Sequence, residues 1–175
     1  MVDTFNHLRI EDKGHYMICY LSNPPSHTLT SSGVAEVHKF LDLVEKNNDL
    51  RVLAFTGEGE DVFIKHYEVG ELANSAEKNI ESNQTQKDPT ELHAFHKMLL
   101  RLKNLDAIVI AGINGNTAGG GCEFSLGCDL RIATPNSKFA TPEGKLGIIP
   151  GGGATVRLPR IIGKGWGMEM LLMGG

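Results

Sequence analysis

Residues 111–153 read AGINGNTAGGGCEFSLGCDLRIATPNSKFATPEGKLGIIPGGG, and their order decides the fold. A buried strand ends at Ile113 and gives way to a polar turn, Asn114-Gly115-Asn116. Three glycines, Gly119, Gly120 and Gly121, then open a helix that runs to Leu126, and a strand resumes at Asp129. Glycines let a ligand approach the backbone, and the unpaired N–H groups of a helix N-terminus favour negative charge, so this junction is suited to an anion. Glu123 lies three residues after Gly120 and therefore shares its helix face. A second acid, Glu143, sits in Thr141-Pro142-Glu143, which reads as another helix start with Thr as cap and Pro at the first position. Two carboxylates in one cavity can divide acid and base roles when their surroundings push their pKa values apart. A helix start favours the ionised form of Glu143, so proton donation by it requires burial or a neighbouring carboxylate.

Working outward, residues 15–21 (HYMICYL) form a β-type run closed by Asn23-Pro24-Pro25. Apolar residues at Val34, Val37, Leu41 and Val44 predict an amphipathic helix over 30–47, and 50–56 is a second strand leading to a loop at Gly57-Glu58-Gly59-Glu60. Residues 74–91 are almost wholly polar and read as a long mobile loop. Phe95, Leu99 and Leu102 predict a helix over 92–105, followed by a fully buried strand over 107–113. Residues 147–153 form a glycine-rich turn, and 157–162 and 166–173 are short helices parted by Gly163. Strands alternating with helices throughout give an α/β fold class with repeated crossover units.

A chain of 175 residues with 41% hydrophobic and 22% charged residues fits one domain, 1–175, with a real core. Its formal net charge of -4 supplies no basic surface for nucleic acid or an anionic membrane. Three cysteines, Cys19, Cys122 and Cys128, cannot all pair within the chain and show no Cys-x-x-Cys spacing, which fits a reducing compartment. No signal-like stretch opens the chain and no run approaches the ~20 apolar residues of a membrane span, so the expected location is cytoplasmic.

Taken together, Asn114-Gly115, Gly119-Gly120-Gly121-Cys122-Glu123, Cys128-Asp129, Thr141-Pro142-Glu143 and Leu146-Gly147-Ile148-Ile149-Pro150-Gly151 resemble the pattern of the crotonase (enoyl-CoA hydratase/isomerase) superfamily. Looser agreement extends over almost the whole chain. The resemblance implies a spiral of repeated ββα units, and an acyl-CoA thioester as substrate, with coenzyme A entering as part of it and no separate cofactor. It implies a homotrimer or hexamer, completed by C-terminal helices that the family carries beyond the point reached at Gly175. It also implies a thioester carbonyl held between two backbone N–H groups, which by position are those of Tyr67 and Gly120. Glu123 and Glu143 match the two acids that hold and activate water in hydratases of the family. Isomerases usually need only the second, so the presence of both favours hydration. Another crotonase reaction, double-bond isomerisation or carbon–carbon hydrolysis of a β-diketone, and a non-catalytic binding role are the alternatives.

The chain departs from the family in the oxyanion loop, Phe63-Ile64-Lys65-His66-Tyr67-Glu68, where His66 replaces a glycine. A position needing positive φ would strain a histidine. Bulky Tyr67 would narrow the acyl pocket, and His27 stands where the family often has asparagine. His27, His66, Gly119 and Gly121 are thus candidates for substrate contact. Other readings are weaker. Gly57-x-Gly59 lacks the third glycine of a dinucleotide fingerprint and is surrounded by acids. Ser125 lacks the first glycine of a nucleophile elbow. His93 and His96 share a helix face without a companion acid or cysteine, which favours a solvated pair over a metal site.

Overall fold

A computed structural model describes residues 4–81 and 91–175. The chain opens with β1 (Leu8–Asp12), β2 (Tyr16–Leu21) and α1 (Ser31–Val44). Three passes follow, each made of two strands and then helix: β3 (Val52–Gly57) and β4 (Val62–Ile64) precede α2 (Val69–Glu81) and α3 (Ala94–Lys103). β5 (Ile108–Ile113) and β6 (Asn116–Ala118) precede α4 (Gly120–Gly127), and β7 (Leu130–Ala133) and β8 (Phe139–Ala140) precede a short 3-10 helix, Pro142–Leu146. Helices α5 (Ala154–Ile162) and α6 (Lys164–Met173) close the described chain. The first strand of each pass enters a five-stranded sheet, β1-β2-β3-β5-β7, and the second a three-stranded sheet, β4-β6-β8. Among the described residues only β1–β2 is antiparallel; the other pairs are parallel. This is the ββα spiral that the sequence led us to expect.

A strand whose residues alternate between buried and less buried packs one face on the core, and β3 and β5 do so; with Ile108 51% exposed, β5 is not the fully buried strand expected from sequence. Leu53, Phe55, Val109 and Ala111 are accordingly shut off from solvent, as are Val37 and Leu41 of α1 and Met98, Leu99 and Leu102 of α3. Phe124 of α4 meets Phe55 and Phe63 edge-on, with ring centroids 5.1 and 6.1 Å away, an arrangement worth about 0.5–1.5 kcal/mol per pair beyond burial. Helix α4 is buried along its whole length, so it sits as a central pillar between the sheets. Asn114 fixes the turn beside it. Its side-chain amide donates to the carbonyls of Gly57 (3.1 Å) and Gly59 (2.8 Å) and accepts from the Gly57 N–H (3.0 Å), joining the ends of β3 and β5.

Three further expectations change. The polar stretch beginning at 74 is helical as far as Glu81, as part of α2; its apolar residues Val69, Leu72, Ala76 and Ile80 recur at helical spacing, but two of them precede the polar stretch and all four are exposed. The rest of that expected loop, 82–90, lies outside the described residues. Thr141 does not cap the helix it precedes, because its hydroxyl donates to the Met170 carbonyl at 2.7 Å and ties the 3-10 helix to α6. The helix expected from 157 begins at Ala154.

Candidate active site

Tyr67 lies in a single bridge beside Leu29. Leu29 donates to the His66 carbonyl (2.9 Å) and accepts from the Glu68 N–H (2.8 Å). Alternation along an extended chain then turns the Tyr67 N–H to the opposite edge. Gly119 bends the chain with φ of 49° while its own N–H donates to Ala140 at 3.0 Å, and Gly120 begins α4. Neither the Tyr67 nor the Gly120 N–H meets a backbone acceptor among the described residues. A Cβ at Gly120 would lie 2.8 Å from the Tyr67 Cβ and 3.4 Å from its nitrogen, so only glycine lets the two amides approach this closely. The three glycines therefore have separate tasks. Gly119 supplies the left-handed turn, Gly120 the approach to Tyr67, and Gly121 the packing of α4 against the Ile64 carbonyl, where any Cβ would collide. The Tyr67 ring is held by an edge-on contact with Phe95 (5.9 Å) and by a hydroxyl bond to Ser31 (3.0 Å), which in turn donates to Glu71 (2.8 Å).

Glu123 projects from the first turn of α4 and is 3% exposed. Its Oε1 accepts from the N–H groups of Gly152 (2.7 Å) and Ala154 (3.0 Å), at the entry to α5. Burial pushes its carboxyl up to about 6, helped by the charge of Glu143 and opposed by those two N–H groups and Arg157. Glu143 is 8% exposed, and its Oε2 is buried without a hydrogen-bond partner. Burial raises its carboxyl as well, with its own backbone N–H opposing. Burial thus outweighs the helix-start effect that argued for an ionised Glu143.

Both acids, Tyr67 and Gly120 open into one cavity of about 280 Å³. Leu72, Phe95, Ile148 and Ile149 give it apolar walls, a composition typical of small-molecule pockets. His66 and His27 do not line it. The His66 ring nitrogen sits 2.7 Å from the Tyr67 carbonyl, and its backbone lacks the positive φ that would strain it. His27 is the histidine in that conformation, at φ 52°, and it lines a separate cleft with Asn23 and Thr28. The histidines that do reach the cavity are His93 and His96, read from sequence as a solvated pair. Their spacing showed that they share a face; it could not show that this face looks onto the acids. Among the described residues no three His, Cys, Asp or Glu side chains are grouped to hold a metal ion, and no helix is long and apolar enough to cross a membrane.

Two spiralling, largely parallel sheets, a buried glycine-led helix and paired acids facing two free amides define a crotonase-type protein. A family model described as enoyl-CoA hydratase/isomerase matches residues 15–175, and the chain belongs to that family. It is similar to a short-chain-enoyl-CoA hydratase of Clostridium acetobutylicum, 30% identical over 167 residues, which cover 95% of this chain and 61% of that protein. A crotonyl-CoA hydratase of Syntrophomonas wolfei is also 30% identical, over 169 residues and 62% of its length. The crystal structure of an enoyl-CoA hydratase from Bacillus anthracis superposes with a TM-score of 0.84 at 29% identity, over 97% of this chain and 63% of that one. The chain thus spans about three fifths of the length of the relatives it matches.

Proposed function

We propose that this chain forms the catalytic core of an enoyl-CoA hydratase, adding water across the double bond of an α,β-unsaturated acyl-CoA thioester. The observation that carries this reading is the meeting of two unpartnered main-chain N–H groups with two buried acids in one cavity. The thioester oxygen accepts from Tyr67 and Gly120. Glu123, already held by two N–H groups and ionised above about pH 6, takes a proton from water as its oxygen bonds to the β-carbon. The electron pair of the double bond moves to the thioester oxygen as an enolate, which the two amides stabilise. Glu143, whose burial favours its neutral form, delivers a proton to the α-carbon and restores the carbonyl. The presence of both acids supports hydration over isomerisation.

The same reading carries three further proposals. No cofactor is needed beyond the coenzyme A of the substrate, the protein assembles as a trimer or hexamer, and it works in the cytoplasm, where its three unpaired cysteines would stay reduced. The mass of the full-length protein in solution tests the assembly. Loss of the conjugated thioester absorbance of crotonyl-CoA tests the activity. Glu143→Gln is expected to slow hydration by about 10²–10⁴, and a rate equal to that of the unaltered protein would remove Glu143 from the mechanism.

A further inference from the structure

Besides the two acids, the cavity presents two polar side chains that the hydration chemistry does not use, His93 and His96, one helical turn apart at the start of α3. They stand in different states. His93 caps α3, accepting from the Phe95 N–H at 3.4 Å through Nδ1, which leaves Nε2 as the donor. His96 is half-buried, and neither of its ring nitrogens bonds to any described residue. Burial first, with the nearby positive charge of Arg157 adding to it, holds its imidazole below the ordinary range. It is therefore neutral at neutral pH, with one nitrogen a donor and the other an acceptor. The imidazole faces the pocket with its hydrogen-bonding capacity unspent by any described residue, and Leu72, Phe95, Ile148 and Ile149 around the pocket are apolar.

We propose that His96, assisted by His93, recognises an oxygen at the distal end of the acyl chain, so that the substrate class is a short enoyl thioester bearing a carbonyl or carboxylate oxygen beyond its double bond. This rests on the acyl-CoA reading of the cavity. The acids and the two free amides occupy the part of the cavity contributed by α4, the 3-10 helix and the loop at Tyr67, and the histidines come from α3. With its thioester against Gly120, an acyl chain that extends along the cavity to the α3 wall would meet Phe95 with its methylenes and His96 with its end. A plain alkyl terminus would leave the His96 ring without a partner, whereas an oxygen would satisfy it.

Binding of three saturated, unreactive thioesters separates the possibilities: valeryl-CoA, 4-oxopentanoyl-CoA and glutaryl-CoA, which end in a methyl group, a methyl ketone and a carboxylate. Calorimetry on the full-length protein should find at least one oxygenated thioester bound about tenfold more tightly than valeryl-CoA. A lead for glutaryl-CoA identifies a carboxylate ligand, and a lead for 4-oxopentanoyl-CoA a neutral carbonyl. His96→Phe should erase the preference, and because it removes the imidazole that an alkyl end strands, valeryl-CoA should bind at least as tightly as to the parent, which also verifies folding. His96→Gln, which keeps a donor and an acceptor, should retain part of it. Equal affinities for all three, or a preference that survives His96→Phe, would overturn the inference and leave the hydratase reading standing. Failure of all three to bind would overturn the acyl-CoA reading and this inference with it.

Discussion

Replacing Glu123 by Gln should make the protein more stable and less active, and the size of the first effect follows from the site. The side chain is 3% exposed, and burial lifts its carboxyl from 4.5 to about 6. At about 1.4 kcal/mol per pH unit, that rise is a penalty of about 2 kcal/mol on holding the ionised form in the fold. Because the folded value exceeds the unfolded one, the stability linked to this proton is fully present below pH 4.5 and is lost as pH climbs through about 6. Glutamine keeps the shape. Its carbonyl oxygen can still accept from Gly152 and Ala154, now at 2.7 and 3.0 Å from Oε1, and it carries no charge to bury. Urea denaturation at pH 4 should therefore find parent and variant nearly equal, and at pH 7.5 the variant should be the more stable by about 2 kcal/mol. Hydration of crotonyl-CoA should fall by about 10²–10⁴ in the same variant. A variant less stable than the parent at pH 7.5 would refute the reasoning, because the carboxylate would then be a structural anchor rather than a strained reagent.

Gly120→Ala places a Cβ 2.8 Å from that of Tyr67, forcing the two amides apart; kcat should drop by about 10²–10³, and a normal kcat would exclude the Gly120 N–H as an oxyanion donor. Tyr67→Phe should leave kcat within an order of magnitude, since the proposed donor is main-chain, while the lost bond to Ser31 lowers stability by about 1 kcal/mol in thermal melts. A collapse of kcat in Tyr67→Phe would instead assign chemistry to the phenol.

Residues 111–153 made the spiral and the acid pair legible because buried strands, a glycine triplet and acids at helix starts each leave a compositional mark. The three-stranded sheet left none: β6 and β8 cover three and two residues, too short for a period-2 pattern to emerge. Helix α2 was hidden for another reason: its apolar stripe, Val69, Leu72, Ala76 and Ile80, straddles the start of the polar stretch at 74, so neither part alone shows the period. Within the site, sequence could assign carboxylates but not what holds them. The donors to Glu123 are backbone groups 29 and 31 residues further on, and amides have no letter in a sequence. Which histidines line the cavity was hidden for the same reason of long-range placement. His27 and His66 are close to the oxyanion loop along the chain or by pairing, yet they do not line the cavity of the acids, whereas His93 and His96 reach it from the start of α3.

The grip of Gly152 and Ala154 on a single carboxylate oxygen makes the path of the chain into α5 and the charge on Glu123 two readings of one equilibrium. An ionised oxygen accepts these N–H groups more strongly than a protonated one, so the bend is drawn tight in the state ready to receive a proton and slackens once it has been taken up. By the same linkage, anything that pries residues 151–154 away from α4 raises the acid's affinity for its proton. The entrance to α5 would thus serve as a setting screw for the proposed base as well as a turn in the fold.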